Sequence, residues 1–127
     1  MAKVTINRPE KHNAISLATL DDLHGAVDAA AMDDSVRVIA ITGAGGKAFA
    51  AGSDLSEVVD RDFRKALEPI VQGLAEKLER TPKPTIAAID GICMGGGLEV
   101  ALGCDLRVAT PQSRFATPEG KLGIIPG

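Results

Sequence analysis

Two short apolar runs, each leading to a glycine, constrain the fold of this chain more than any other feature. Val36–Ile41 (VRVIAI) ends just before Gly43, and Thr85–Ile89 (TIAAI) leads to Gly91. Runs rich in β-branched and small apolar residues are typical of strands covered on both faces, as in parallel sheets. Because segments with helical spacing separate the runs, we expect an α/β fold with parallel strands, in a single domain over residues 1–127.

The other predicted elements follow from spacing and from end signals. Ser16 can cap a helix, because the apolar residues that follow it keep helical spacing. A second helical pattern covers about Asp62–Arg80, and Pro69 inside it predicts a kink or two shorter helices. The remaining expected elements are strands at Val4–Ile6 and Leu106–Ala109, a helix over Leu98–Asp105 and an extended segment at Phe115–Glu119.

The composition excludes several classes of function. Asp and Glu number 17 against 14 Lys and Arg, which gives a net charge of −3, and the aromatic residues are three Phe with no Tyr or Trp. A nucleic-acid binder needs a basic surface or stacking rings, so we expect no nucleic-acid partner. Cys93 and Cys104 form no disulfide framework, and His12 and His24 form no ligand cluster. We therefore expect buried thiols and no metal site.

The sequence also carries no membrane or export signal. Its N-terminus lacks a charged and then apolar segment, and no apolar run is long enough to span a bilayer. We therefore expect no membrane partner and a cytoplasmic location.

A first glycine loop, Gly43–Ala48 (GAGGKA), satisfies the G-x-G-x-x-A pattern of dinucleotide-binding domains. That pattern requires a helix to open at the glycines, whereas Gly52 would interrupt such a helix early. A plain turn after a strand is the commoner explanation for such a short glycine match. A nucleotide-binding α/β domain therefore stays open as an alternative.

A second glycine loop, Gly95–Gly97, leads straight into a predicted helix. The first amides of a helix have no intrahelical acceptor and lie at the positive end of its dipole, so they suit an oxygen that gains negative charge. Glu99 lies within one turn of this point and is also explained as an ordinary first-turn acid. Glu119 follows Pro118 in a loop, and together the two carboxylates form a plausible acid–base pair.

Five segments, in order along the chain, resemble motifs of a single enzyme superfamily. They are Asn7–Ala14 (NRPEKHNA), Phe49–Leu55 (FAAGSDL), Gly91–Asp105 (GICMGGGLEVALGCD), Phe115–Glu119 (FATPE) and Leu122–Gly127 (LGIIPG). Together they resemble the crotonase superfamily, the enoyl-CoA hydratases and isomerases.

This resemblance implies a spiral of ββα units, a substrate carried as a coenzyme A thioester and no separate cofactor. It also implies an oxyanion hole formed by the backbone amides of Ser53 and Gly96. Because the amide acts and not the hydroxyl, Ser53 in place of the more usual alanine is a mild departure. The residues that the resemblance places on the CoA portion are Lys11, His12, Ala14, Ser53, Asp54, Leu55 and Ser56.

The glutamates favour one reaction within the superfamily. Glu99 and Glu119 match the pair that holds a water molecule in enoyl-CoA hydratases and adds it syn across the C2–C3 double bond. By that analogy Glu99 positions and activates the water, and Glu119 delivers a proton to C2. Isomerases commonly keep only the acid at the Glu119 position, so the resemblance favours a hydratase.

Length is the main departure from the superfamily. Its members continue beyond the Leu122–Gly127 motif with helices that cover the acyl pocket and build a trimer or hexamer, so we expect an N-terminal fragment or a shortened variant. The alternatives are a CoA-thioester-binding fragment without turnover, and another crotonase reaction such as isomerisation or carnitinyl-CoA-type dehydration.

Overall fold

The computed structural model describes residues 1–54, 56, 71–118 and 121. Strands and helices alternate along the chain, with a 3₁₀ turn at Pro9–Lys11 after the first strand. The strands are β1 (Ala2–Ile6), β2 (Ile39–Gly43), β3 (Ala48–Ala50), β4 (Thr85–Ile89), β5 (Ile92–Met94), β6 (Leu106–Ala109) and β7 (Arg114–Ala116). The helices are α1 (Leu17–Met32), α2 (Gln72–Arg80) and α3 (Gly96–Gly103).

The strands form two sheets in which every pairing is parallel. One sheet has the order β1-β2-β4-β6 and the other the order β3-β5-β7. Each consecutive strand pair therefore sends its first strand to one sheet and its second strand to the other before the chain enters the next helix. This repetition is the ββα spiral that the resemblance implied, and the expected α/β class with parallel pairing is confirmed.

The core lies between the two sheets and the helices. Ile39 and Ile41 are completely buried, as the apolar character of their strand predicted, and so is Phe49 on β3, where the sequence predicted no strand. Burial of such a side chain contributes roughly 1.5–3 kcal/mol each. The Ser16 hydroxyl accepts a hydrogen bond from the Thr19 amide at 3.1 Å and so caps α1. The predicted apolar stripe of α1 faces the core: Leu20, Leu23, Val27 and Ala30.

Several elements differ from their predicted bounds. β2 begins at Ile39 and not at Val36, because its neighbour β4 begins only at Thr85, after Pro84, which has no amide hydrogen to donate. α3 begins two residues before Leu98, at Gly96, since Gly95 caps it with a positive φ of 52°. Of the helical pattern over residues 62–80, the structure describes α2, and Pro69 lies outside the described residues.

β6 and β7 are the last strands of their sheets, and their apolar side chains are open to solvent. Leu106 and Val108 on β6 are 58% and 64% exposed, and Phe115 on β7 is 49% exposed. In register, Leu106 and Val108 lie beside Ile86 and Ala88 of β4, so they extend one apolar face to the edge of the sheet. An apolar edge of this kind is suited to contact with further polypeptide.

Candidate active site

Two loops that carry predicted site residues emerge side by side from the smaller sheet. β3 leads to Ser53 and β5 leads to Gly96, and the two strands are paired in parallel, with Ala48 opposite Ile92. Because paired parallel strands end at the same edge of a sheet, the loops that follow them meet there. The resemblance implied that the amides of Ser53 and Gly96 lie together, and the short strands β3 and β5 bring their loops to one edge.

Distances place Ser53 and Gly96 together. A Cβ atom built on Gly52 would lie 3.6 Å from the amide nitrogen of Gly96, and one built on Gly96 would lie 3.4 Å from the Ser53 hydroxyl oxygen. Gly52 has a φ of +107°, which side chains other than hydrogen rarely allow. The tight approach of the two loops therefore depends on glycine.

The amides of Ser53 and Gly96 are the two donors that the resemblance implies for the oxyanion hole. Ile15 forms a parallel β-bridge with Ser53. The Ile15 amide donates to the Gly52 carbonyl oxygen at 2.7 Å, and the Asp54 amide donates to the Ile15 carbonyl oxygen at 3.0 Å. Within the part of the chain that the structure describes, neither the Ser53 nor the Gly96 amide donates a backbone hydrogen bond. Gly96 is also the first residue of α3, where the helix dipole is positive.

Close packing fixes the start of α3. A Cβ atom on Gly97 would come within 2.3 Å of the Ala50 carbonyl oxygen, so α3 lies directly on β3. A Cβ atom on Gly96 would meet the Val71 side chain at 2.8 Å, and Val71 is almost fully buried. The two glycines thus let the helix N-terminus approach the β3 loop.

The predicted CoA-contacting turn lies against the Ser53 loop. Lys11 and His12 are exposed, and the His12 carbonyl oxygen accepts a hydrogen bond from the Ala51 amide at 3.1 Å. Ala14 is half-buried on the same turn. The structure therefore brings the turn and the loop together, and their contact with CoA stays a prediction.

Asn13 holds this turn in place from the inside. It is fully buried with a φ of 56°, and its amide group donates to the carbonyl oxygens of Ala44 at 2.9 Å and Ala48 at 2.7 Å. Its side-chain oxygen accepts from the Arg8 amide at 2.9 Å. Asparagine tolerates the left-handed region better than most residues, and here it satisfies buried backbone groups.

Asn13→Ala should lower the free energy of unfolding by about 2–4 kcal/mol, because it leaves buried carbonyl groups without donors. Urea denaturation measures the loss. Asn13→Gly tests whether backbone strain contributes, since glycine adopts the positive φ without strain. Asn7→Ala, at an exposed position, serves as the control and should change stability by less than about 0.5 kcal/mol. A wild-type midpoint for both Asn13 variants would contradict this role.

Asp54 is engaged by protein groups. One carboxylate oxygen accepts from the Ser56 amide at 3.1 Å and the Ser56 hydroxyl at 2.7 Å, and the other pairs with Arg8 at 3.2 Å. The Ser56 hydrogen bonds, together with the Arg8 guanidinium, hold the pKa of Asp54 below its usual range. Asp54 is therefore ionised at neutral pH.

The glutamate pair is described only in part. Glu99 is half-buried in the first turn of α3, three residues after Gly96, and its amide donates to the Gly95 carbonyl oxygen at 3.1 Å. Glu119 and Leu55 lie outside the described residues. The shared water between the glutamates and a CoA contact by Leu55 stay predictions.

Other chemistries find little support in the described residues. Gly43–Ala48 joins β2 to β3 and opens no helix, which argues against the dinucleotide interpretation. Burial raises the pKa of both Cys93 and Cys104 to about 11, so these buried free thiols are protonated at neutral pH. Among residues 1–54, 56, 71–118 and 121, no three His, Cys, Asp or Glu side chains are grouped to hold a metal ion. The helices in those ranges are too short or too polar to cross a bilayer.

Two residues at this site had no predicted role. Arg8 contacts Asp54 across 46 positions of sequence, and Val71 packs on Gly96 from the segment before α2. No local pattern signals such long-range contacts. The presence of Arg8 in the N-terminal motif was the one available hint.

Comparison with known proteins identifies the family. The profile of the family described as enoyl-CoA hydratase/isomerase matches residues 1–127. The short-chain-enoyl-CoA hydratase of Clostridium acetobutylicum is 40% identical over 129 residues, covering 100% of this chain and 49% of its own length. The 2,3-dehydroadipyl-CoA hydratase of Escherichia coli is 43% identical over 124 residues, covering 98% of this chain and 48% of its own length.

A solved structure agrees with these relatives. The crystal structure of enoyl-CoA hydratase from Bacillus anthracis superimposes with a TM-score of 0.90 at 39% identity, over 98% of this chain and 49% of that one. The chain thus spans about half the length of the relatives that it matches. With the ββα spiral and the motifs in family order, the match of the family profile to residues 1–127 leads to one conclusion: this chain belongs to the enoyl-CoA hydratase/isomerase family.

Proposed function

We propose that this chain carries the oxyanion-stabilising and CoA-binding part of an enoyl-CoA hydratase, which adds water syn to a 2-enoyl-CoA thioester. The observation that carries the proposal is the meeting of Ser53 and Gly96, whose amides donate no backbone hydrogen bond within the described residues. Two relatives named as CoA-thioester hydratases support the choice of reaction.

The two amides would act on the thioester oxygen. As water adds at C3, electron density moves from the double bond through the thioester carbonyl onto that oxygen. Donors at about 2.7–3.1 Å stabilise the developing charge, and each typically contributes about 10²–10³ in rate. The Gly96 amide is supported by the dipole of α3, so we expect it to be the stronger donor.

The glutamates would move the protons. Glu99 orients the water molecule, and the oxygen of that water bonds to C3. Glu119 gives its proton to C2 on the same face. The proton that the water loses returns to the carboxylate pair, so the chain is unchanged after turnover. An isomerase needs only one such acid, and the presence of both glutamates supports hydration as the first candidate. Isomerisation and carnitinyl-CoA-type dehydration are the alternatives within the family.

The setting of this activity is part of the proposal. The thioester itself supplies the electron sink, so we expect no cofactor beyond coenzyme A carried by the substrate. We expect a role in fatty acid metabolism in the cytoplasm, and assembly of the whole protein as a homotrimer or homohexamer. The exposed apolar edge at Leu106 and Val108 is consistent with such assembly.

Titration separates the proposed function from its alternatives. Calorimetry with crotonyl-CoA, free CoA and NAD should show binding of both CoA compounds and none of NAD. The absorbance of the enoyl thioester should fall as crotonyl-CoA is hydrated. Binding of the CoA compounds without turnover supports a binding fragment alone, and binding of NAD alone would overturn the proposal.

Ser53→Ala should change turnover by less than about threefold, because the backbone amide and not the hydroxyl donates to the substrate. The kcat for crotonyl-CoA hydration measures this. The hydroxyl lies close to Gly96, so the variant tests its contribution directly. A loss near that of a deleted donor would assign the hydroxyl a part in the reaction.

A further inference from the structure

We propose that Arg8 and Asp54 are positioning residues that fix the direction of the Ser53 amide; this inference rests on the proposed function. Both residues lie outside the pair of glutamates and the two amides of that proposal. The inference concerns how the oxyanion donor is held, and it gives Asp54 a role other than the CoA contact that its position in the sequence suggests.

Arg8 ties the N-terminal turn to the Ser53 loop. One guanidinium nitrogen donates to the Ala14 carbonyl oxygen at 2.7 Å, and another donates to the Asp54 carboxylate at 3.2 Å. The side chains of Arg8 and Asp54 are only 25% and 17% exposed. A charge-assisted bond that is partly shielded from solvent holds its geometry better than one on an open surface.

Asp54 is anchored at its backbone as well as its side chain. Its amide donates to the Ile15 carbonyl oxygen at 3.0 Å, while its carboxylate is held by Arg8 and Ser56. Asp54 follows Ser53 directly, so these anchors fix the chain immediately after the proposed donor. The Asp54 carboxylate is a poor partner for the phosphates of CoA, because both groups are negatively charged.

Ser53 itself depends on these anchors. The peptide that carries its amide joins Gly52, with φ of +107°, to Ser53, and the carbonyl oxygen of this peptide accepts a hydrogen bond from the Ile15 amide at 2.7 Å. Among the described residues, the Ser53 amide has no backbone acceptor of its own to set its direction. Its orientation is therefore set by the hydrogen bonds that Gly52 and Asp54, on either side of Ser53, make with Ile15. Arg8 bonds to Ala14 and to Asp54, so it holds the two segments of this bridge together.

The test compares Arg8→Gln, Asp54→Asn and the double variant, with Ser56→Ala as a milder change that removes the hydroxyl bond to Asp54. The ion pair between Lys77 and Asp28, at 2.6 Å between α2 and α1, provides the matched control Lys77→Gln. Three quantities are measured: kcat, the dissociation constant of free CoA, and the infrared carbonyl stretching frequency of bound crotonyl-CoA. The frequency reports how strongly the donors polarise the thioester, which a purely structural role would not alter.

We expect each single variant at the ion pair to lower kcat by about 10–100-fold and to raise the carbonyl frequency towards that of free thioester. The double variant should lose no more than either single one, because both remove the same link. Binding of free CoA should stay close to wild type in Arg8→Gln, whose position lies outside the predicted CoA contacts. Ser56→Ala should give a smaller shift in the same direction, and it keeps the test informative where a charge deletion impairs folding.

An unchanged carbonyl frequency in Arg8→Gln, Asp54→Asn and Ser56→Ala would overturn the inference. Equal losses for free CoA and thioester binding would also overturn it and would return Asp54 to the CoA contact. A variant that lacks the Gly96 amide donor separates failure of the positioning role from failure of the proposed function. Where that variant shifts the frequency and Arg8→Gln does not, only the positioning role fails; where neither does, the proposed function fails too.

Discussion

Gly96→Pro in a Val71→Ala background should lower kcat for crotonyl-CoA hydration by about 10²–10³-fold while binding of free CoA changes little. Gly96 is the first residue of α3, a position at which proline is well tolerated because its missing amide hydrogen has no intrahelical acceptor. The substitution therefore removes one donor from the site without breaking a hydrogen bond of the fold.

Val71→Ala is needed because of packing. Any side chain at position 96 places a Cβ atom 2.8 Å from Val71, whose truncation makes room for it. Gly96→Ala in the same background is the matched control, since it adds the Cβ atom and keeps the amide. We expect the alanine variant to retain most of the activity of Val71→Ala alone.

The carbonyl frequency of bound crotonyl-CoA should rise in the proline variant and stay near wild type in the alanine variant. This comparison isolates the donor from the added bulk. Equal kcat values for the proline and alanine variants would show that the Gly96 amide donates nothing to the transition state. The oxyanion assignment would then fail, whatever the effect of Val71→Ala.

The longer strands and helices could be predicted because each has a complete local signal. Thr85–Ile89 is a strand over the whole predicted range, and Leu106–Ala109 likewise. Ser16 caps α1 as expected, and the stripe that follows it is buried. Signals of this kind are set by neighbours in sequence, so one sequence is enough to reveal them.

The second sheet could not be predicted in the same way. β3 and β5 have three residues each, AFA and ICM, which is too short for any periodicity to appear. They are defined by pairing between segments distant in sequence, since Ala48 lies opposite Ile92. The sequence alone therefore predicts no strand at either position.

The site likewise combines features that have a local sequence signal with contacts between distant segments. Gly95–Gly97 predicted a site of backbone amide donors, because glycine is needed where a backbone must approach another group closely. The close contact of Gly97 with Ala50, the packing of Val71 on Gly96 and the link from Arg8 to Asp54 join distant segments. No residue pattern encodes these contacts, and they become visible only from the fold.

Glu119→Gln should lower kcat by about 10²–10⁴, because an amide of nearly the same shape cannot supply the proton for C2. Glu99→Gln should also slow hydration, since the water loses a carboxylate that orients it. Glu76→Gln, at an exposed acid of α2, is the control and should leave kcat unchanged. Turnover alone does not separate the two roles, because both variants impair the same overall reaction.

Exchange of the C2 hydrogens of butyryl-CoA in deuterated water separates them. This saturated thioester has no double bond to hydrate, so the exchange needs the two amides and a carboxylate that takes the C2 proton and returns a deuteron, but no oriented water. We expect Glu119→Gln to suppress deuterium incorporation, followed by NMR, and Glu99→Gln to leave most of it. Suppression by Glu99→Gln with normal exchange in Glu119→Gln would reverse the two roles. Normal exchange in both variants would mean that neither carboxylate carries the C2 proton.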